Sequence, residues 1–231
     1  MKEGKIVMLE INKIYCGDCL ELMKELDDKS IDLVLTDPPY GQSLGYGRGQ
    51  LGERYVKNDD NLDWLPLFSK NIWRILKDNT EALVFCQWRR YSVFEKYLLS
   101  VGFTIRTVAI WNKMNAGLSG GGYAEQYEQI IVLRKGEARE NYYRGNVYND
   151  NRLSGRPEHP TQKPVILFEN LICMCSDEND LVLDPFIGSG TTAVACIRTN
   201  RNFIGFEINQ DYVNIANKRI KYERSQLKLN L

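Results

Sequence analysis

Leu181-Val182-Leu183-Asp184-Pro185-Phe186-Ile187-Gly188-Ser189-Gly190-Thr191-Thr192 is the stretch on which the fold turns. Three apolar residues run into an acid, a proline and two glycines spaced by one residue. A helical pattern follows Gly190, and a second apolar run, Phe203-Ile204-Gly205-Phe206, ends in another acid, Glu207. Strand, glycine turn, helix, strand is the repeating unit of a parallel sheet, and glycines in its turn let backbone approach a ligand closely. The acid after the second strand can accept hydrogen bonds from two ribose hydroxyls. A phosphate-binding loop would need lysine where Thr191 stands, so a cofactor carrying a nucleoside fits the stretch better than a phosphate chain. A tight turn with no ligand is the alternative that the glycines alone leave open.

The same alternation continues outward from this unit, as expected of a mostly parallel sheet with helices on its faces. Before it, 164–176 reads as a helix with Val165, Phe168, Leu171, Ile172 and Cys175 on one side; after it, a last helix groups Val213, Ala216 and Ile220. Towards the N-terminus, strands are predicted over 11–15, 31–36 and 82–86, with helices near 18–26, from Asn61 as cap through Leu76, and over 90–100. Two further strands, 103–111 and 129–133, have no helical pattern between them and predict an antiparallel pair at the sheet's edge. Glycine-rich loops lie within 41–52 and 117–122, and 137–158 is polar, tyrosine-bearing and unpatterned, a surface excursion. Neither repeat nor linker divides the chain, so one domain over 1–231 is expected.

Bulk properties narrow the class. With 43% hydrophobic and 26% charged residues, the composition is that of a globular protein and not of a disordered one. No apolar run of about 18 residues occurs and the first residues lack an apolar signal core, so no membrane span and a cytoplasmic location are expected. The 30 basic and 30 acidic residues cancel, an unusual balance for a nucleic-acid enzyme. Locally, Lys/Arg at 134, 135, 139, 144, 152, 156 and 163 outnumber the acids at 137, 140, 150 and 158. Cys16 with Cys19 and Cys173 with Cys175 are closely spaced pairs, but a zinc site needs about four suitably spaced ligands and the chain has a single histidine. Buried free thiols and no metal are expected.

A second site stands at the end of another strand: Asp37-Pro38-Pro39-Tyr40 follows 31–36. Two prolines remove two donors and fix φ, which leaves a rigid turn presenting acceptors, the Asp37 carboxylate and a proline carbonyl. Two converging acceptors suit an –NH2 group, and Tyr40 offers a flat face for stacking. A rigid turn without function is the competing reading.

Taken together, the two stretches resemble the amino-methyltransferases of DNA, whose Asp/Asn/Ser-Pro-Pro-aromatic motif accompanies a Phe-x-Gly-x-Gly cofactor loop, here Phe186–Gly190. The catalytic motif precedes the cofactor motif, as in the permuted β group of that family. His159-Pro160-Thr161-Gln162-Lys163-Pro164 is similar to the family's segment bordering the methionine end of S-adenosylmethionine, and Gly17-Asp18 to the position that holds its adenine. The resemblance implies a Rossmann-like, seven-stranded, mostly parallel α/β sheet with one antiparallel edge strand and helices on both faces. It implies S-adenosylmethionine as cofactor, held by Asp18, Cys19, Thr161, Lys163, Asp184, Phe186, Gly188, Ser189, Gly190, Thr191 and Glu207.

The implied reaction is transfer of methyl to the exocyclic amine of a base flipped from duplex DNA, with Asp37, Pro38, Pro39 and Tyr40 as catalytic residues. No Pro-Cys dipeptide is present, which speaks against methylation at a ring carbon. Asp at the first catalytic position accompanies adenine in the family; cytosine N4, adenine in RNA and a catalytically silent partner subunit are the alternatives. The interval 135–158 is short for a target-recognition region, and Arg139, Tyr142, Arg144, Arg152 and Arg156 are its candidate DNA contacts. So small a reading surface favours a short target, relaxed specificity or help from a second recognition subunit, and the resemblance to the β group implies a homodimer. A restriction–modification context is in keeping with the family.

Overall fold

The computed structural model describes residues 9–41, 61–114, 123, 125–137, 145–150 and 163–229. Among these, the strands are β1 (Lys13–Cys16), β2 (Ile31–Thr36), β3 (Leu76–Cys86), β4 (Thr104–Asn112), β5 (Tyr127–Lys135), β6 (Val147–Asn149), β7 (Leu181–Asp184) and β8 (Asn202–Glu207). The helices are α1 (Cys19–Leu22), α2 (Leu65–Ile75), α3 (Tyr91–Ser100), α4 (Val165–Cys175), α5 (Thr191–Arg198) and α6 (Gln210–Leu229). The strands form one sheet in the order β1-β8-β7-β2-β3-β5-β4-β6. Only β5 runs antiparallel to its neighbours.

Strand alternation divides the apolar residues between two cores, one on each face. Val34, Val84, Leu183 and Phe206 pack with Met23, Phe68, Ile72, Phe94 and Leu98 of the α1–α3 side. Leu33, Leu35, Phe85, Val182 and Phe203 pack with Phe168, Leu171, Ala193 and Ile220 of the α4–α6 side. Strands covered on both faces read as continuous apolar runs, and for that reason 31–36 and 203–206 carry so little polarity.

The α/β, mostly parallel architecture agrees with expectation; two details differ. The sheet has eight strands, not seven, because Val147–Asn149 inside the polar 137–158 stretch adds in parallel to β4. Three residues are too few for alternation to show in a sequence. The antiparallel strand is interior: β4 returns one position beyond β3, and β5 folds back into the gap between them. β6, not β5, therefore forms that edge. Locally, α1 is a single turn capped by Asp18, whose carboxylate accepts from the Leu20 N–H, and a 3₁₀ turn over Met23–Glu25 follows it. Asn61 does not cap α2; its side chain accepts from the Asp63 N–H. All six cysteines are free, but Cys16 and Cys173 are exposed rather than buried. Among the described residues, no helix is long and apolar enough to cross a membrane.

Candidate functional site

The chain leaves β2 towards β3 and leaves β7 towards β8, in opposite directions along the sheet, so the β2–β7 seam is the topological switch point where open α/β sheets bind ligands. Its ladder is short, Leu33 beside Val182 and Val34 beside Leu183. Side chains complete it at both ends. Asp32 accepts from the Leu181 N–H at 3.0 Å, and the Thr36 hydroxyl donates to Asp184 at 2.8 Å. Asp184 also accepts from the Phe186 N–H at 3.1 Å and from the Thr192 hydroxyl. It is 3% exposed, and its carboxylate holds the loop to both strands with its face turned inward.

The loop after β7 is shaped by close approach. Ile187 donates its N–H to the Phe206 carbonyl at 2.9 Å and lies on Gly205, where a Cβ would stand 2.2 Å from Ile187 Cδ1. Gly188 and Gly190 have φ of 53° and 86°, in the left-handed region that favours glycine. Arg219 of α6 donates to the Ser189 carbonyl at 2.7 Å and to its hydroxyl at 3.0 Å, and stands 3.5 Å from the Thr191 hydroxyl. The Ser189 and Thr191 side chains are thus buried against α6. Phe186 joins an aromatic cluster, with ring centroids 5.3 Å from Trp64 and 5.6 Å from Phe68.

Two carboxylates bound the crevice on the β8–β1 side. Glu207 accepts from the Gly188 N–H at 3.1 Å with one oxygen and from the Asn209 N–H at 2.8 Å with the other. Burial raises its pKa above the ordinary carboxylate range, and those N–H groups oppose the rise. Each oxygen keeps a lone pair for a further donor. Asp18 is exposed at the end of β1. These acceptors, with a glycine loop between, suit the ribose hydroxyls and adenine amine of S-adenosylmethionine. Cys19 is different: its thiol packs in the core, and burial pushes its pKa up to about 12, with Asp18 and Glu207 adding to the rise.

On the β2 side, Asp37 is held at both oxygens. The Tyr40 hydroxyl donates to Oδ1 and Lys163 Nζ to Oδ2. Lys163 Nζ also stands 3.1 Å from Glu128 Oε2, and Lys113 Nζ 2.9 Å from Glu128 Oε1. Both lysines are almost wholly buried, at 7% and 4% exposure. Burial raises the Asp37 pKa, and the Lys163 charge holds it back. Burial works to lower the Lys163 pKa, but Asp37 and Glu128 outweigh it and the ammonium is stabilised. Tyr40 touches both cores, and burial together with Asp37 keeps its hydroxyl protonated. Pro38 is buried and Pro39 half-buried between them.

Sequence reading places Lys163 at the cofactor; the structure sets its ammonium on Asp37. Glu128 and Lys113 belong to no motif and were not anticipated. Their one signal is a charge at the end of each partner in the predicted antiparallel pair. A further cluster lies beyond β3. Trp88 is half-exposed with the Arg89 guanidinium 5.0 Å from its ring centroid, and Glu125 accepts from the Trp88 indole at 3.3 Å. Arg90 donates to the Gly41 carbonyl at 2.6 Å, which ties this cluster to the Asp37–Tyr40 turn. Thr161, Arg139, Tyr142, Arg144, Arg152 and Arg156 lie outside the described residues.

Comparison with known proteins agrees with this geometry. The family model described as DNA methylase, covering N6 and N4 methyltransferases, matches residues 31–218. The type II methyltransferase M.HpaI of Haemophilus parainfluenzae is 29% identical, over 91% of this chain and 74% of its own. The DNA adenine methyltransferase YhdJ of Escherichia coli is 28% identical, over 91% and 83%. Among solved structures, an M1.HpyAVI–SAM complex superposes with a TM-score of 0.72 at 28% identity, covering 90% of this chain and 98% of the other. The cytosine-N4-specific PvuII methyltransferase shares the fold, with a TM-score of 0.71 at 22% identity over 89% and 85%. With the matched segment running from β2 through both strand-end sites, the chain belongs to the N6/N4 DNA methylase family and is an S-adenosylmethionine-dependent DNA methyltransferase.

Proposed function

We propose that the chain methylates the N6 amine of adenine in double-stranded DNA, as a single catalytic domain over 1–231. One observation carries the reading: Asp37 stands on a proline-fixed turn at the switch point, its charge matched by a buried ammonium. A base amine is a poor nucleophile because its lone pair is delocalised into the ring. Asp37 and the Pro38 carbonyl would accept its two N–H groups, fix its orientation and return electron density to nitrogen. S-adenosylmethionine supplies an electrophilic methyl on a sulfonium centre. Glu207 and Asp18 would hold its adenosine hydroxyls and amine, and the Phe186–Thr191 loop would shape the floor beneath. Pro39 stiffens the turn, and the Tyr40 ring stacks on the flipped base once its hydroxyl leaves Asp37.

Adenine is supported by aspartate at the first catalytic position and by the adenine-named relative. Arg139, Tyr142, Arg144, Arg152 and Arg156 in the 135–158 segment, with Trp88 and Arg89 beside the turn, form the proposed DNA surface; a homodimer or a recognition subunit would extend it. The test is transfer of labelled methyl from S-adenosylmethionine to mixed-sequence duplex DNA and, in parallel, to structured RNA, with nucleoside analysis. Label is expected in N6-methyldeoxyadenosine and to fall by about 100-fold or more in Asp37→Ala, the loss typical of a removed transition-state contact. Label in methylcytosine would overturn the choice of base, and label in RNA alone the choice of nucleic acid.

A further inference from the structure

Four charges, two on buried lysines and two on half-buried carboxylates, alternate in sign from the end of β4 to the catalytic turn: Lys113, Glu128, Lys163, Asp37. They come from four segments, and Lys163 reaches Asp37 across 126 residues of chain. Its ammonium is further fixed between two aromatic rings, 5.4 Å from the Phe85 centroid and 5.8 Å from that of Trp111. Lys113 lies 5.7 Å from the same Trp111 ring. A largely buried ionic chain of this kind gives less stability than well-packed apolar side chains of equal volume would, so its place beside a reactive carboxylate points to chemistry.

We infer that Lys163, set in place by Glu128 and Lys113, is a positioning residue that presents Asp37 to the base amine as a charged acceptor. The inference rests on Asp37 being the acceptor, as proposed above. The physical need is plain. An amine offers only donors on the edge in question; protonating Asp37 turns one carboxyl oxygen into a donor and removes the negative charge that returns electron density to the amine nitrogen. Asp37 is half-buried, and burial favours the protonated form. Among the described residues around it, Lys163 opposes protonation with full positive charge. Tyr40 donates from the same turn, with the neutral Cys86 thiol of β3 near it. Glu128 from β5 adds negative charge and favours protonation, as does Asp184 from β7 once it ionises, near pH 7, and Lys113 offsets Glu128. Because the four charges cancel, Asp37 keeps its charge without leaving the crevice positive, which would disfavour a sulfonium cofactor.

Glu128 and Lys163 therefore act on Asp37 with opposite sign, and that opposition is the test. Single-turnover methylation rates of wild type, Lys163→Met, Lys163→Arg, Glu128→Gln and Asp37→Asn are measured from pH 5.5 to 9.5 (a range of about four units), with S-adenosylmethionine binding and thermal melting as checks of the fold. Lys163→Met should move the acid limb to higher pH, with a deficit of about tenfold or more near neutrality that shrinks at the alkaline end. Lys163→Arg should return the limb towards its original place. Glu128→Gln should move it to lower pH, and this variant carries the test if Lys163→Met does not fold. Rates reduced by one factor at every pH, or limbs displaced in the same direction, would overturn the inference and leave Lys163 a structural or cofactor-binding residue. Full activity in Asp37→Asn, whose amide oxygen still accepts, would likewise overturn the inference, whereas full activity in Asp37→Ala would overturn the underlying assignment of Asp37.

Discussion

At Asp184 a carboxylate is buried against Thr36, Thr192 and the Phe186 amide, and burial pushes its pKa up to about 7. An unfolded aspartate titrates near 4 (roughly), so the folded chain binds this proton more tightly than the unfolded one. The group's contribution to stability is then fully present below about pH 4 and is lost as pH rises through about 7, at up to about 1.4 kcal/mol per pH unit. Asp184→Asn keeps an acceptor and removes the titration. Urea unfolding at several pH values between 5 and 8 should show wild type losing stability relative to the variant (about 1 kcal/mol or more across the range); parallel curves would count against the assignment. Both acids of the cofactor stretch were legible as important from their place at strand ends. Their division of labour was not, because it depends on Thr36, which is 148 residues away and meets Asp184 only across the seam. A comparable separation, 126 residues, hid the pairing of Lys163 with Asp37.

The start of α5 is set by contact between helices. Gly190 has φ of 86°, and a Cβ there would stand 2.8 Å from Ala216 Cβ of α6. Gly190→Ala should destabilise by about 2–4 kcal/mol, from the left-handed backbone and the overpacking together. Adding Ala216→Gly should recover the packing part but not the backbone part, a split that denaturant unfolding of the single and double variants would reveal. Recovery in full would mean that the glycine serves close approach alone. At this scale the sequence was most readable where patterns are long. The 3–4 spacing of Leu65, Phe68, Ile72 and Ile75 predicts α2, and the pairing of β4 with β5 follows from the missing helix between them. It was least readable where an element has no room for a pattern, as with β6, or where a cap competes with a turn, as at Asn61.

On the scale of the molecule, the seam joins a β2–β3–β5–β4 half, which holds Asp37 and Glu128, to a β7–β8–β1 half, which holds Asp184, Glu207 and Asp18. Alternation and strand-end acids made the two sites visible, but only the sheet order shows that they face one crevice. The position of β1 has a consequence for synthesis on the ribosome. Among the described residues β1 is the first strand in the chain, yet its neighbour in the sheet is β8, the last of them. Within the other half, β2 pairs with β3, and β3 with β5, across short stretches of chain whose closure costs little entropy. That half can therefore assemble while the C-terminal strands are still being translated, and β1 must wait beside it unpaired. In refolding followed by pulsed hydrogen exchange, amides of β3 and β5 should gain protection before those of β1 and β8. A nascent chain stalled before β8 would expose the single turn of α1 and the Cys19 thiol, buried in the folded chain, to the cell. The interval between making the first strand and the last is thus the period in which this protein is most open to proteases and chaperones.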